Sequence, residues 1–322
     1  MTLAIQTTAL THRYGATEAL RGVTLAVERG AFFGLFGPNG AGKTTLIRIL
    51  ATLITPTSGA AHVNGLDVTR HAAQVRASLG LVFSNENSFY GRLTGQQNLE
   101  FFGALQNLTA RDAQRRSDEL LEFFDLTRAA RLPVQTYSTG MKQKLNVARA
   151  LLHNPPIIFL DEPTKGMDVL TAESLRGLLR KELVEQQGKT ILLTTHDLQE
   201  MEQLCDEVAI LERGSVRAVG TPAQLIEAAR PTVIYRLEVV GHANGLISTL
   251  EHLPGVQAVQ LVSQSPATTV LDLTLADLPS GELWAALAAH SVPVKRLAPK
   301  DDGLVSVLKN SVDTNPKGLK DP

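Results

Sequence analysis

The 322-residue chain has room for two domains, and a hydrophobic content of 43% is that of an ordinary globular protein with a sizeable core. Its 31 basic and 32 acidic residues leave a formal net charge of −1, which excludes a global attraction to nucleic acid or anionic lipid. The single cysteine, Cys205, excludes an intrachain disulfide and fits a reducing compartment, where a small buried residue is the expected role. Met1 to Gln6 lack the basic start and long apolar centre of a secretory signal, and no window reaches the ~18 uninterrupted apolar residues of a bilayer span. Work at a membrane therefore requires spans from another polypeptide.

Leu3 to Gln6 and Val23 to Val27 alternate as strands of an antiparallel layer, with Tyr14 between them. An aromatic at that place can stack on a nucleotide base or simply pack, and its position alone leaves both readings open. Ala31 to Phe36 is a short apolar run with the character of a buried strand. It leads into Gly37-Pro38-Asn39-Gly40-Ala41-Gly42-Lys43-Thr44-Thr45, the spacing of a phosphate-cradling loop that opens a helix from Thr44 to Leu50. Gly37, Gly40 and Gly42 let consecutive amides point inward at phosphate oxygens, Lys43 reaches the β- and γ-phosphates, and the Thr44 hydroxyl suits Mg²⁺. Unpaired N–H groups at the helix start add a partial positive charge, so a nucleoside triphosphate is the expected occupant.

Thr55 to Gly59 is a turn cluster, Ala61 to Gly65 a strand and turn, and Leu79 to Phe83 another buried strand. Thr94-Gly95-Gln96-Gln97 has the spacing of a capping box, opening a helix with Leu99, Phe102 and Leu105 on one face. Residues 93–132 read as predominantly helical, an insert in an α/β core whose Arg111, Arg115 and Arg116 alternate with Asp112, Asp118 and Glu119 on a solvated face. Tyr137-Ser138-Thr139-Gly140-Met141 opens a further amphipathic helix bearing Leu145, Ala148 and Leu152, a second helix start able to meet an anion.

Pro156 to Leu160 is fully apolar and ends in Asp161 and Glu162, as in a parallel strand whose C-terminal tip lines a ligand crevice. Asp161 is placed to hold Mg²⁺, and Glu162 to polarise a water aimed at the γ-phosphate. Thr190 to Thr195 repeats the design and presents His196, which can donate to the γ-phosphate or position water. A lone histidine is ordinarily structural, so its role rests on its company. Glu207 to Arg217 reads as a hairpin, and Thr221-Pro222 starts a helix.

With the phosphate loop, the Ser138 helix start, the apolar strand with Asp161-Glu162 and the terminal His196 all in order, the chain to about residue 228 resembles the ATP-binding subunit of an ABC transporter. The resemblance implies a P-loop NTPase α/β core with an antiparallel β layer and a helical subdomain at about 85–150. It implies that Tyr14 stacks on adenine and that Gly37, Asn39, Gly40, Gly42, Lys43, Thr44 and Thr45 hold ATP. Ser138 and Gly140 are then the signature residues contacting ATP, Thr44 and Asp161 the Mg²⁺ site, Glu162 the catalytic base, His196 the switch histidine, and Lys165 to Asp168 the D-loop. It also implies a homodimer sandwiching two ATP molecules, and a peripheral position on the inner face of the cell membrane beside a membrane-spanning permease subunit. Phe89, Tyr90 and the Leu93 region, beside Ser84, are the expected docking place for that partner, since exposed aromatics suit interface anchors, with core packing the equal alternative.

The family signature is Leu-Ser-Gly-Gly-Gln. Tyr137, Thr139 and Met141 depart from it, a variant resembling the branch that exports drugs, lipids or polysaccharides. Where the family has a Gln contacting Mg²⁺ and water, this chain has Ser84-Asn85-Glu86: Ser84 takes the expected place, and either Asn85 or Glu86 substitutes as an oxygen ligand or metal coordination is weaker and basal turnover slower. A soluble ABC-type ATPase acting on nucleic acid or ribosomes is the rival. Such relatives carry tandem cassettes or a long coiled coil, whereas this chain has one cassette and no heptad run, so no nucleic-acid partner is expected. Beyond a linker at Ala229-Arg230-Pro231, residues 229–308 alternate as βαββαβ, a small ferredoxin-like accessory domain for regulation or dimer contacts, and 309–322 form a polar tail.

Overall fold

The computed structural model describes residues 2–83, 89–228, 233–241, 245–275, 281–290 and 292–299. The chain divides into two compact units between Ala223 and Gln224. In the first unit β1 (Leu3–Tyr14) and β2 (Thr17–Glu28) form a long hairpin, followed by β3 (Phe32–Phe36) and α1 (Lys43–Leu50). Next come β4 (Ser58–Val63), β5 (Leu66–Asp67), α2 (Ala72–Ala77) and β6 (Leu79–Phe83). The helical insert holds α3 (Gly95–Leu105) and α4 (Ala110–Phe123), and α5 (Thr139–Ala150) leads back into β7 (Ile157–Asp161). Then α6 (Val169–Gly177) runs on in π-helical form over Leu178–Gln186, before β8 (Thr190–Thr195), α7 (Leu198–Leu204), β9 (Glu207–Glu212) and β10 (Ser215–Gly220), and the division between the units falls within α8 (Pro222–Ala228).

Two sheets organise this unit. One is antiparallel in the order β2-β1-β4-β5, and the other has the order β10-β9-β3-β8-β7-β6, parallel except for β10. Every residue of β3, β7 and β8 is buried, which is why apolar residues follow one another in these strands rather than alternating with polar ones. Helix α1 buries Leu46, Ile47, Ile49 and Leu50 around most of its circumference, in one core with Val23 and Val27 of β2 and with Phe33 and Leu35 of β3. The phosphate loop is thus gripped between rigid elements. At the opposite side of β3, Gly34 faces Cys205, whose Sγ would lie 2.9 Å from a Cβ at that position.

The predicted order of elements is present, and local differences have local causes. The β1–β2 hairpin is far longer than its alternating segments suggest, because register shifts at residues 3/5, 7/10, 10/12 and 12/13 of β1 break the period of two while pairing continues. Ser58 and Gly59, read as part of a turn, already belong to β4. Thr94 caps α3 as expected, its hydroxyl accepting from the Gln97 amide at 3.1 Å while Gln97 Oε1 accepts from the Thr94 amide at 3.0 Å. Leu99 is fully buried on that helix, but Leu105 at its last turn is 62% exposed, where the helix ends and the apolar face runs past its partner. The basic face of α4 is solvated at Arg115, which pairs with Glu119, whereas Arg116 also donates to the Leu151 carbonyl at 3.2 Å and so ties the insert to the core.

The second unit contains β11 (Val233–Val240), α9 (Leu246–Glu251), β12 (Val256–Gln264), β13 (Thr268–Leu275), α10 (Gly281–Ala289) and β14 (Val294–Pro299). Its antiparallel sheet has the order β12-β13-β11-β14, with Leu237, Leu271 and Leu273 packed on Leu246, Leu250, Leu283 and Leu287. This is the ferredoxin-like βαββαβ arrangement read from the sequence. The expected linker at 229–231 and tail at 309–322 lie outside the described residues.

Candidate functional site

Strand register builds the site. β3 pairs with β8 so that Phe36 meets Thr195, and β7 pairs with β8 so that Asp161 meets Thr194. One step beyond these pairs the chain leaves the sheet at Gly37, Glu162 and His196, side by side at the C-terminal edge where ligands bind parallel sheets. A cavity of about 430 Å³ opens there, lined by Ala19 of β2, by Asn39 to Thr45, and by Asp161, Glu162 and Lys165.

Two glycines of the loop, Gly37 and Gly42, have no room for a side chain. A Cβ at Gly37 would lie 2.2 Å from the Leu211 carbonyl oxygen. Gly42 sits at φ 108 and caps α1 without any side-chain hydrogen bond, leaving the first amides of the helix to an external acceptor. Lys43 is buried, its ammonium donating to the carbonyls of Gly37 at 2.5 Å and Pro38 at 3.1 Å. Burial pushes its pKa down, and the nearby Glu162 and Asp161 pull it back up.

Asp161 is almost fully buried, and the Thr194 hydroxyl donates to its Oδ1. Glu162 holds the left-handed backbone at φ 48, rare for a residue with a side chain, while its amide donates to the Thr194 carbonyl at 3.1 Å. Its carboxylate is held at both ends. His196 Nδ1 lies 2.8 Å from Oε1, and Lys165 Nζ lies 2.8 Å from Oε2. Burial raises the Glu162 pKa, but the hydrogen bonds from Lys165 and His196 outweigh it and hold the group below the usual range, so it is ionised at neutral pH.

A hard cation would find two carboxylates, Asp161 and Glu162, the second already held by Lys165 and His196, and two hydroxyls, Thr44 and Thr45, on this cavity. Among the described residues no group of three His, Cys, Asp or Glu side chains stands ready to cage a metal. That sparse oxygen set fits magnesium, which keeps waters and shares its shell with substrate phosphates.

The other predicted residues lie elsewhere. Ser138 is exposed and caps α5, accepting from the Met141 amide at 3.2 Å. Gly140 is buried against α6, where a Cβ would come within 2.8 Å of the Thr171 methyl carbon. Tyr14 is 47% exposed and meets His12 edge to face at 4.5 Å between ring centres. Neither Ser138, Gly140 nor Tyr14 lines the phosphate cavity. Phe89 and Tyr90 form an aromatic cluster with Phe101 and Phe102, over which Arg149 is stacked. Ser84-Asn85-Glu86 lie outside the described residues.

Three contacts escaped the sequence reading: Lys165 on Glu162, Thr194 on Asp161, and Thr164 Oγ1 donating to the buried Glu200 at 2.8 Å. The alternation of β8 with β7 marks Thr194 once the strands are paired. The other two depend on a turn that no periodicity announces.

A glycine-capped helix start, a buried lysine and two carboxylates at the crest of a parallel sheet define a P-loop nucleoside triphosphatase. The family model for the ABC transporter matches residues 20–165. The daunorubicin resistance ATP-binding protein DrrA3 of Streptomyces coeruleorubidus is 45% identical over 217 residues, 66% of each chain. The ABC transporter ATP-binding protein NatA of Bacillus subtilis is 36% identical over 66% of this chain and 86% of its own. Among solved structures, the dimeric post-hydrolysis state of the ATP-binding cassette MJ0796 bound to ADP and Pi superposes with a TM-score of 0.62 at 28% identity, covering 68% of this chain and 98% of that one. The chain belongs to the ATP-binding proteins of ABC transporters, and its first unit is an ABC-type ATPase domain that binds ATP.

Proposed function

We propose that this chain powers export through a separate membrane-spanning subunit, by closing and reopening a homodimer as it binds and hydrolyses ATP. The observation that carries the reading is the convergence of Lys43, Thr44, Asp161 and Glu162 on one cavity, with His196 on the Glu162 carboxylate. The drug-resistance names of relatives such as DrrA3 support the export branch. Among the described residues no helix is long and apolar enough to cross a membrane, which fits a peripheral subunit at the inner face of the membrane.

In this reading the loop amides and Lys43 bind the triphosphate, and Tyr14 stacks on adenine. Thr44 and Asp161 hold Mg²⁺, which when bound neutralises charge on the transferring phosphoryl group. Glu162 takes a proton from the attacking water, and His196 holds that carboxylate and faces the γ-phosphate. Ser138 and Gly140, away from the cavity of their own chain, serve the ATP bound by the partner copy; that the MJ0796 cassette is dimeric in its post-hydrolysis state supports the pairing. Phe89 and Tyr90 form the docking place for the membrane subunit. The second unit is a separate accessory domain after the ATPase.

Glu162→Gln tests the proposal because it keeps shape and removes the base. Turnover should fall at least ~10²-fold while an ATP-bound dimer accumulates on size-exclusion chromatography. Undiminished hydrolysis would take Glu162 out of the mechanism, and a variant that stays monomeric in ATP would remove the dimer.

A further inference from the structure

We propose that Lys165 is a positioning residue for hydrolysis: together with His196 it clamps both oxygens of the Glu162 carboxylate and so sets the plane in which that carboxylate meets water. The inference rests on Glu162 acting as the base. A glutamate carboxylate turns about its last torsion in a broad, shallow well, so a single hydrogen bond leaves its plane free. Two donors on different oxygens, both at 2.8 Å, fix it. Each oxygen can accept more than one hydrogen bond, so the clamp leaves acceptor sites for a water molecule.

The turn makes this clamp a built feature. The Lys165 amide donates to the Glu162 carbonyl at 3.2 Å and the Met167 amide to Thr164 at 3.1 Å, folding Lys165 back over the glutamate. The Thr164 hydroxyl is anchored on buried Glu200, which fixes the middle of the turn. Lys165 also does a different job from Lys43, the other ammonium on the cavity, which donates to the loop carbonyls of Gly37 and Pro38 and keeps a third N–H for phosphate. The Lys165 side chain is 52% exposed, and such an ion pair adds little to stability. Its loss should therefore register in the chemistry rather than in the fold.

The test uses the full chain with Lys165→Met and Lys165→Arg, measuring steady-state ATP hydrolysis in magnesium buffer alongside thermal unfolding. The methionine variant should lose roughly tenfold in kcat with KM for ATP within about twofold of the parent, and arginine should restore most of the rate. The melting temperature of both should match the parent. A kcat that is unchanged or raised in Lys165→Met overturns the proposal. A raised KM at constant kcat also overturns it, by making Lys165 a phosphate ligand. Glu162→Gln assayed in parallel separates the two levels. If it still hydrolyses ATP, the base assignment fails. If it is inactive while Lys165→Met behaves like the parent, only the clamp fails.

Discussion

The two helix starts of the ATPase unit, Gly42 before α1 and Ser138 before α5, are built on opposite plans. At Gly42 no side chain caps the helix, its neighbours Ala41 and Lys43 are buried, and a cavity stands in front of the amides. At Ser138 the hydroxyl already accepts the Met141 amide, the residue is exposed, and no residue of the phosphate cavity belongs to α5. The first is an anion site complete within one chain. The second has its Met141 amide satisfied by its own cap and faces no cavity of its own chain, a half-site whose use depends on what another molecule brings.

Substitutions at the two starts should therefore fail in different ways. The largest effect is expected at Lys43→Ala, which removes the ammonium from the complete site. Calorimetric titration of ATP should show affinity falling by about 10²-fold or more, because a charged donor to phosphate is lost from a buried position. Retained affinity would contradict the complete site. Gly140→Ala presses a methyl onto Thr171 and disturbs only the half-site. Nucleotide affinity of the monomer should stay within about twofold while turnover drops roughly tenfold, so that titration and kinetics part company. Equal losses in both measurements would erase the distinction between the starts. The smallest effect is expected at Ser138→Ala, where the lost cap costs about 1 kcal/mol in a urea melt. Substantially greater destabilisation would mean that Ser138 supports more than its own helix.

Much of this design is legible in the sequence because it is written by local rules. The fully apolar strands around Phe33, Phe159 and Leu192 are recognisable since both faces are buried, and the loop at Gly37 to Thr45 since its glycines and lysine keep a fixed spacing. Thr94 and Gln97 satisfy each other across three residues, so that boundary is equally readable. What lies beyond reach depends on tertiary geometry. Glu200 looks like a solvated acid on a short polar helix, and only the packing that buries it beneath Thr164 gives it a partner. Lys165 looks like an exposed turn residue until the left-handed backbone at Glu162 brings the two side chains together. The β1–β2 hairpin hides its length behind irregular register.

The contact between Cys205 and Gly34 gives the protein a native reporter. The thiol is buried at the end of α7 against β3, and burial raises its pKa far above the ordinary thiol range, so a disulfide reagent should reach it only through a local opening. Because the chain carries no other sulfhydryl, its labelling rate reports on this one opening alone. The helix that starts beside His196 thus has a built-in clock, readable with and without nucleotide and requiring no engineered probe.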